Sequence, residues 1–252
     1  MPTVSKIFEI HYYEIDIKKR ARISKLMNFF YDTAIFQSEK ACLDLDTLEG
    51  RNLTWVLYQW DIKILDYPVY RDLIEVKTTP TGFNGFYAYR KYNIFNSSGK
   101  EISKAESVWF LIDTVKKRPT KVPSDMYEAY GITSEESEFF DIIKIKPPER
   151  QDSSYEFTVK YNDIDTNGHV NNTRYIDWAL DLLPLDFFQD YTLKNLKVTY
   201  KKEAKEGERI LAAAQIDNNG SSLRTVHKLT DIDGNILCLN ENEWRHEKDL
   251  KL

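Results

Sequence analysis

Cysteine is nearly absent: Cys42 and Cys238 are the only two in 252 residues. That excludes a disulfide framework and fits a reducing, cytoplasmic setting. Histidine is scarce too, four in all, and with so few ligand-type residues no metal-binding spacing arises. No apolar run approaches the roughly 20 residues that span a bilayer. The opening Met-Pro-Thr-Val-Ser-Lys has no apolar signal core, so neither a membrane span nor a secretory leader is expected. Positive charge is in deficit, with a net charge of −5, which argues against a general nucleic-acid binder while leaving room for local basic patches. What remains is an ordinary globular composition rich in aromatics, with sixteen Tyr and thirteen Phe. The length suits one large domain or two small ones.

One stretch organises the rest, Tyr161-Asn-Asp-Ile-Asp-Thr-Asn-Gly-His-Val-Asn-Asn-Thr-Arg-Tyr175. Phe157, Val159 and Tyr161 alternate with Thr158 and Lys160, the period-two pattern of a half-buried strand. After it, Ile176, Ala179, Leu180 and Leu183 recur at helical spacing until Pro184. Asp165, Asn167 and His169 fall at every second position of the intervening turn, and Asn171, Asn172 and Thr173 are all competent helix caps. A carboxylate, an amide and an imidazole thus collect beside a helix N-terminus, where free N–H groups favour negative charge.

The chain repeats itself. Phe8, Ile10 and Tyr12 predict a first strand, and Leu26, Met27, Phe30, Ala34 and Ala41 a following helix that starts near Ser24. A shift of 149 positions takes Phe8 to Phe157, Ile10 to Val159, Tyr12 to Tyr161, Asp16 to Asp165 and Ser24 to Thr173. Strand-like runs follow each helix, at about 53–65, 71–79, 86–96 and 102–113, then at about 193–203, 207–217, 221–231 and 235–245. The separators are turn chemistry: Asp66-Tyr-Pro, Pro80-Thr-Gly, Asn96-Ser-Ser-Gly-Lys, Asp217-Asn-Asn-Gly and Asp231-Ile-Asp-Gly-Asn.

Each half therefore reads as a strand, a helix and four meandering strands. A helix bordered by one antiparallel sheet buries its apolar stripe by lying in the concave face. The expected class is α+β, a tandem (double) hotdog in which two helix-plus-sheet repeats pair edge to edge into one continuous sheet. The expected division is an N-terminal repeat over 1–121, a linker with some helical character over 122–151, and a C-terminal repeat over 152–252.

These residues resemble the acyl-acyl carrier protein thioesterases of plants and bacteria. The resemblance rests on Asp165-Thr-Asn167-Gly-His169-Val-Asn-Asn172, then Tyr175-Ile-Asp-Trp178, and the later Tyr200-Lys-Lys-Glu203. With the tandem repeat it extends over nearly the whole chain. Some members of that family carry a cysteine directly after the glutamate, and this chain has Ala204, so a papain-like thiol mechanism has no residue to carry it. The resemblance implies hydrolysis of fatty acyl-acyl carrier protein to free fatty acid, with the acyl pocket shaped by the N-terminal repeat. It implies acyl carrier protein, small and acidic, as the partner. An acyl-CoA thioesterase and a non-catalytic acyl-binding protein are the alternatives.

The chemistry asks for little. A leaving thiol with a pKa near ~8.5 departs without a strong acid, a metal or a cofactor. A water, a base and oxyanion donors suffice. On this reading Asn167 and N–H groups at the helix start polarise the carbonyl, Glu203 and His169 handle the proton, and Asp165 orients Asn167 or His169. Glu203 and His169 can exchange roles. The plainer alternative is that Asp165 and Asn167 only cap backbone N–H groups of a turn. Glu203 poses a geometric problem: it is out of phase with Leu196, Val198 and Tyr200 unless the strand bends or bulges.

The first repeat keeps Asp16 but has Lys18 and Arg20 where Asn167 and His169 stand, so one active site per chain is expected. Met27, Phe30, Ala34, Trp55 and Trp60 are candidate pocket lining, with ordinary core packing the commoner fate of such residues. Three basic groups could meet an acidic carrier: Lys18, Lys19 and Arg20 with Arg22; Lys116, Lys117 and Arg118 with Lys121; and Lys194, Lys197, Lys201, Lys202 and Lys205. A homodimer is a further expectation.

Overall fold

The computed structural model of the chain describes residues 3–133, 137–218 and 223–250. Its contacts divide it into two units, Met1–Ile142 and Ile143–Leu252.

In the first unit, β1 (Val4–Glu9) leads through a 3-10 turn (Tyr12–Glu14) to α1 (Ile23–Lys40) and a short α2 (Leu45–Gly50). Then come β2 (Leu53–Ile64), β3 (Leu73–Asn84), β4 (Tyr87–Asn96), β5 (Glu101–Asp113), the two-residue β6 (Arg118–Pro119) and α3 (Ser124–Ala129). The strands pair antiparallel in the order β1-β3-β4-β5-β2, with β6 on β5. Ile74, Val76 and Thr78 on β3, and Tyr92 and Ile94 on β4, form the inner face of this sheet and are essentially inaccessible. Against it lies α1. Its Phe30 stacks on Trp60 at 5.7 Å and meets Tyr92 at 5.1 Å, and all three rings are buried. Burying each such side chain is worth about 1.5–3 kcal/mol, which is what holds the helix in the concave face. Met27 shares that core, whereas Trp55 stays half-buried, stacked on Phe83. Val122, Met126, Tyr130 and Ile132 pack with Leu43, Leu48, Phe83 and Leu111 in a second cluster of the same unit.

In the second unit, β7 (Ser153–Thr158), a 3-10 turn (Tyr161–Asp163), α4 (Asn172–Leu180) and α5 (Phe187–Asp190) precede β8 (Tyr191–Tyr200), β9 (Arg209–Asn218), β10 (Leu223–Thr230) and β11 (Ile236–His246). The antiparallel order is β7-β9-β10-β11-β8. Ile176 and Ala179 of α4 are fully buried, and Trp178 stacks on Phe157 of β7 at 5.5 Å. Ile145, just before β7, packs on Val226 and Leu239. Each unit is thus a sheet wrapped round a helix, and the chain is a tandem hotdog.

The structure corrects several local readings. Both opening strands stop early, at Glu9 and Thr158, and Tyr12 and Tyr161 are not half-buried but 76% and 81% exposed. Alternation carried no information there, because the chain had already turned into a 3-10 segment. Pro80-Thr-Gly is not a turn. It is a bulge within β3, where the register with β4 shifts between Pro80 and Gly82. The β1 ladder ends opposite Thr78, so the missing N–H of Pro80 costs no bond on that side. The Asp231 hairpin is as expected, closed by the Gly234 N–H on the Asp231 carbonyl with Gly234 at φ +81°. Asn219 and Gly220 of the Asp217-Asn-Asn-Gly turn lie outside the described residues, as do parts of the expected linker and both termini.

Candidate active site

The turn between β7 and α4 is built from its own backbone. The Asp165 N–H donates to the His169 carbonyl at 2.9 Å and the Gly168 N–H to the Asp165 carbonyl at 3.0 Å, while Ile164 and Val170 form an isolated bridge. Gly168 takes φ +74°, a conformation open to glycine at little cost. Asp163 fastens the turn from below. Its carboxylate accepts from the Lys160 N–H and the Arg174 Nε, both at 2.8 Å, and its carbonyl accepts from the Asn171 N–H. Of the three competent caps, Asn171 is the one used: its Oδ1 accepts from the Thr173 N–H at 2.9 Å and from the Thr173 hydroxyl at 2.7 Å.

The first repeat makes the same turn. The Asp16 N–H donates to the Arg20 carbonyl, Lys19 to the Asp16 carbonyl, and Arg22 to the Glu14 carbonyl; Ile15 and Ala21 form the bridge. Lys19, the counterpart of Gly168, holds φ +62° despite its side chain. Glu14 caps His11 as Asp163 caps Lys160. The main backbone bonds of the turn recur in both repeats, while Lys18 and Arg20 stand where the second repeat has Asn167 and His169.

Asp165 makes one side-chain hydrogen bond among the described residues. Its Oδ1 accepts from the Asn167 backbone N–H at 2.8 Å, and Asp16 does the same for Lys18 at 2.8 Å and Arg20 at 3.0 Å. The bond to the residue two positions on is present in both repeats and gives each aspartate a part in shaping its turn. The Asp165 bond fixes the backbone that presents Asn167, and among the described residues Asp165 makes no hydrogen bond to the Asn167 or His169 side chain. Replacing Asp165 by Ala is expected to cost about 1 kcal/mol of stability and to lower turnover about 10–100-fold by misplacing Asn167. Asp16→Ala should cost a similar amount of stability and leave turnover unchanged. Thermal melts and initial rates on both variants check this, and equal activity losses would contradict it.

Glu203 reaches the turn because β8 ends before it. After Tyr200 the ladder bulges, with the Lys201 and Lys202 N–H groups both directed at the Leu237 carbonyl. The chain then crosses to the turn, where the Val170 N–H donates to the Ala204 carbonyl at 2.9 Å and the Ala204 N–H to the Tyr175 hydroxyl at 3.1 Å. The phase of the strand therefore does not govern where Glu203 points. Glu203 Oε2 lies 3.3 Å from His169 Nδ1, with the histidine side chain 28% exposed and the glutamate 52%. This contact is slightly long for a hydrogen bond, as is common before a substrate is bound.

Two tyrosines of the motifs, given no role from the sequence, hold this crossing. Tyr175 is buried, which pushes its hydroxyl above the ordinary tyrosine range and keeps it a neutral partner for Ala204. Tyr200 donates from its hydroxyl to the Asn172 carbonyl at 3.0 Å, tying the end of β8 to the start of α4. The recurrence of an acid at Glu14 and Asp163 was a legible signal for Asp163; Tyr175 and Tyr200 stood in the motifs, but their bonds to Ala204 and Asn172 show only in the fold.

The Asn167 side chain and the Asn172 N–H make no hydrogen bond among the described residues. A carboxylate–imidazole pair beside an exposed amide and a free helix-start N–H can hold a water, take its proton and receive a carbonyl oxygen. No group of three or more His, Cys, Asp or Glu side chains among the described residues could hold a metal ion.

Residues 3–130 match the family model of the acyl-ACP thioesterase N-terminal domain, and residues 146–246 that of the C-terminal domain. An acyl-[acyl-carrier-protein] hydrolase of Cuphea viscosissima is 28% identical over 94% of this chain and 61% of its own length. A palmitoyl-acyl carrier protein thioesterase of Gossypium hirsutum is 26% identical over 96% of this chain and 63% of its own. The chain thus spans about six-tenths of the length of these relatives. A putative oleoyl thioesterase from Lactobacillus plantarum superposes with a TM-score of 0.88 at 26% identity, covering 97% of this chain and 96% of the other.

Proposed function

Given that the chain belongs to the acyl-ACP thioesterase family, we propose that it hydrolyses the thioester of fatty acyl-acyl carrier protein to free fatty acid and carrier protein. The observation that carries this is the contact of His169 with Glu203, two residues far apart in sequence, next to Asn167 and the start of α4. Water held by the pair attacks the thioester carbonyl. Glu203, the more exposed of the two, accepts its proton, and His169 relays it to the departing thiolate. The Asn167 side-chain N–H and the Asn172 N–H receive the developing oxyanion. Asp165 acts through the backbone, and Asp163, Tyr175 and Tyr200 as positioning residues.

Under this proposal the N-terminal repeat, 1–121, shapes the acyl pocket, 152–252 carries the site, and 122–151 joins them. The partner is acyl carrier protein, the assembly a homodimer, and the setting cytoplasmic, in keeping with two free cysteines. No described helix is long and apolar enough to cross a membrane. Release of thiol from acyl-carrier and acyl-CoA substrates of one chain length, measured in parallel, tests the reading. Preference for CoA would transfer it to that carrier, and no turnover on either would end it.

The basic groups change weight in the structure. Lys202 is held by Asp231 at 2.8 Å, and Lys116 by Asp113 at 2.9 Å. Lys18, Lys19 and Arg20 lie on the turn whose counterpart carries His169. If an acidic carrier docks on exposed lysines, KM for the acyl carrier should rise as salt goes from about 0.05 to 0.5 M, across the screening range, while kcat holds. A flat KM would remove electrostatic docking.

A further inference from the structure

The crossing that brings Glu203 to its turn also exists in the first repeat. After β2 the Leu65 and Asp66 N–H groups both point at the Ile102 carbonyl, as those of Lys201 and Lys202 point at that of Leu237. The Ala21 N–H then donates to the Pro68 carbonyl at 2.9 Å, as Val170 does to Ala204. The Arg71 N–H donates to the Ile10 carbonyl at 2.9 Å, as Gly207 does to Val159 at 3.1 Å. Residues 65–72 therefore answer position by position to 201–208, just as 12–20 answer to 161–169. With the backbone shared, the surface side chains of the two copies compare directly.

They differ in one direction. Where the second repeat has Asn162, Thr166, Lys205 and Glu206, the first has Tyr13, Ile17, Val69 and Tyr70. These four are 69%, 62%, 42% and 40% exposed. The second repeat shows that this backbone closes with polar side chains in those places, so the fold does not require apolar ones. Large apolar groups left together in water mark an interaction surface. The two segments that carry them are joined: Arg20 and Val69 form a bridge, and the Tyr70 N–H donates to the Lys19 carbonyl. The Tyr70 ring meets that of Tyr12 edge-on at 6.2 Å.

The charges differ as well. Lys19 and Arg71 stand where the second repeat has Gly168 and Gly207, and both keep the left-handed backbone of those glycines, at φ +62° and +72°. A side chain is strained there, so two exposed cations are held at positions the backbone would give to glycine. Nearby carboxylates are engaged by the chain's own N–H groups: Asp16 by Lys18 and Arg20, Glu14 by His11, and Asp72 by Val69. Tyrosine rings and branched aliphatic side chains on exposed turns, flanked by lysine and arginine, are the composition of segments that lie in the headgroup layer of an anionic bilayer. The rings and aliphatic groups take the acyl boundary and the cations take the phosphates.

We propose that this face of the N-terminal repeat docks on an anionic lipid surface, with Tyr13, Ile17, Val69 and Tyr70 entering the headgroup layer and Lys19 and Arg71 meeting lipid phosphates. The inference goes beyond the hydrolysis proposed above and needs no turnover, so its failure and the failure of that reading are separate results. An acidic carrier fits this face less well. It has to deliver its chain to His169 and Glu203, and the matching face of that repeat carries the polar set.

The test is flotation of the full chain with vesicles of phosphatidylcholine alone and of phosphatidylcholine with about a quarter phosphatidylglycerol. The anionic vesicles are expected to bind at least about tenfold more tightly and to lose that margin at about 0.5 M salt. Two double variants copy the second repeat, whose backbone already accommodates them. Tyr13→Asn with Ile17→Thr should weaken binding about tenfold. Lys19→Gly with Arg71→Gly should remove most of the preference for anionic lipid without lowering the melting temperature. Should one pair fail to fold, the other decides. No flotation with anionic vesicles, equal flotation with both kinds, or undiminished flotation of a folded variant pair overturns the proposal. So does saturable binding of acyl-free carrier protein that the same variants abolish, or a dimer of the chain that Tyr13→Asn with Ile17→Thr dissociates, since either names a protein as the occupant.

Discussion

Replacing His169 by Ala, or Glu203 by Gln, is expected to lower kcat about 10²–10⁴-fold, the usual worth of a positioned acid or base. Stability should hardly move. The pair is 28% and 52% exposed, and exposed ion pairs of this kind contribute about 0–1 kcal/mol. The contrast separates a catalytic pair from a structural one, since a structural pair would show its loss in the melting temperature and not in turnover. The double variant should be little worse than the worse single variant, because the two side chains handle one proton as a unit. Asn167→Ala should cost about 10²–10³-fold if its amide meets the oxyanion. Lys18 and Arg20 provide the control: the same substitutions on an identical backbone in the first repeat should leave kcat unchanged. Either single variant of the pair retaining turnover within about threefold would remove it from the mechanism.

Acid should destabilise the second unit through one residue remote from that chemistry. His227 of β10 is fully buried on the face that meets α4, opposite Asn240 and beside the Ala179 backbone. Its Nε2 shares a 2.8 Å hydrogen bond with Thr225, whose hydroxyl also accepts from Trp244 Nε1 at 3.0 Å. Burial lowers its pKa from 6.5 to about 3, only partly opposed by the Ala179 carbonyl. The ring is therefore neutral in the folded chain, whereas the unfolded chain protonates it below about pH 6.5. The unfolded state then binds more protons, and stability falls as pH drops from about 6.5 towards 3. At pH 5 the loss is roughly 2 kcal/mol, and at pH 3 roughly 4 kcal/mol. Denaturant midpoints from pH 7.5 to 4.5 for the native chain and for His227→Gln measure it. Other groups titrate in this range, so the difference between the two curves is the quantity to read. Parallel curves would mean that His227 is not the group responsible. The neighbouring Cys238, its thiol pushed well up by burial, stays protonated throughout and adds nothing.

Some of this was legible one residue at a time. The alternation along β2 to β5 and β8 to β11 placed eight strands within a few residues of their observed bounds, because each side of a strand meets a different solvent. The offset that aligns Asp16 with Asp165 holds down to single hydrogen bonds, since a turn is a local object and its bonds close within a few residues. Hence the chain's own sequence determined two sheet-wrapped helices, a duplicated turn, and a second copy in which Lys18, Lys19 and Arg20 became Asn167, Gly168 and His169.

Other features had no local cause. That Asp165 holds the Asn167 backbone, as Asp16 holds that of Lys18, is visible only in the folded turn. Periodicity sent Glu203 away from the site; the early end of β8, the bulge at Leu237 and the bond from Ala204 to Tyr175 bring it back. No pattern marks His227 as a base kept neutral. Charge and proton affinity depend on what surrounds a group in space, and those surroundings come from strands and helices tens of residues away. Period and turn chemistry are properties of neighbours along the chain, whereas a site is a property of neighbours across it.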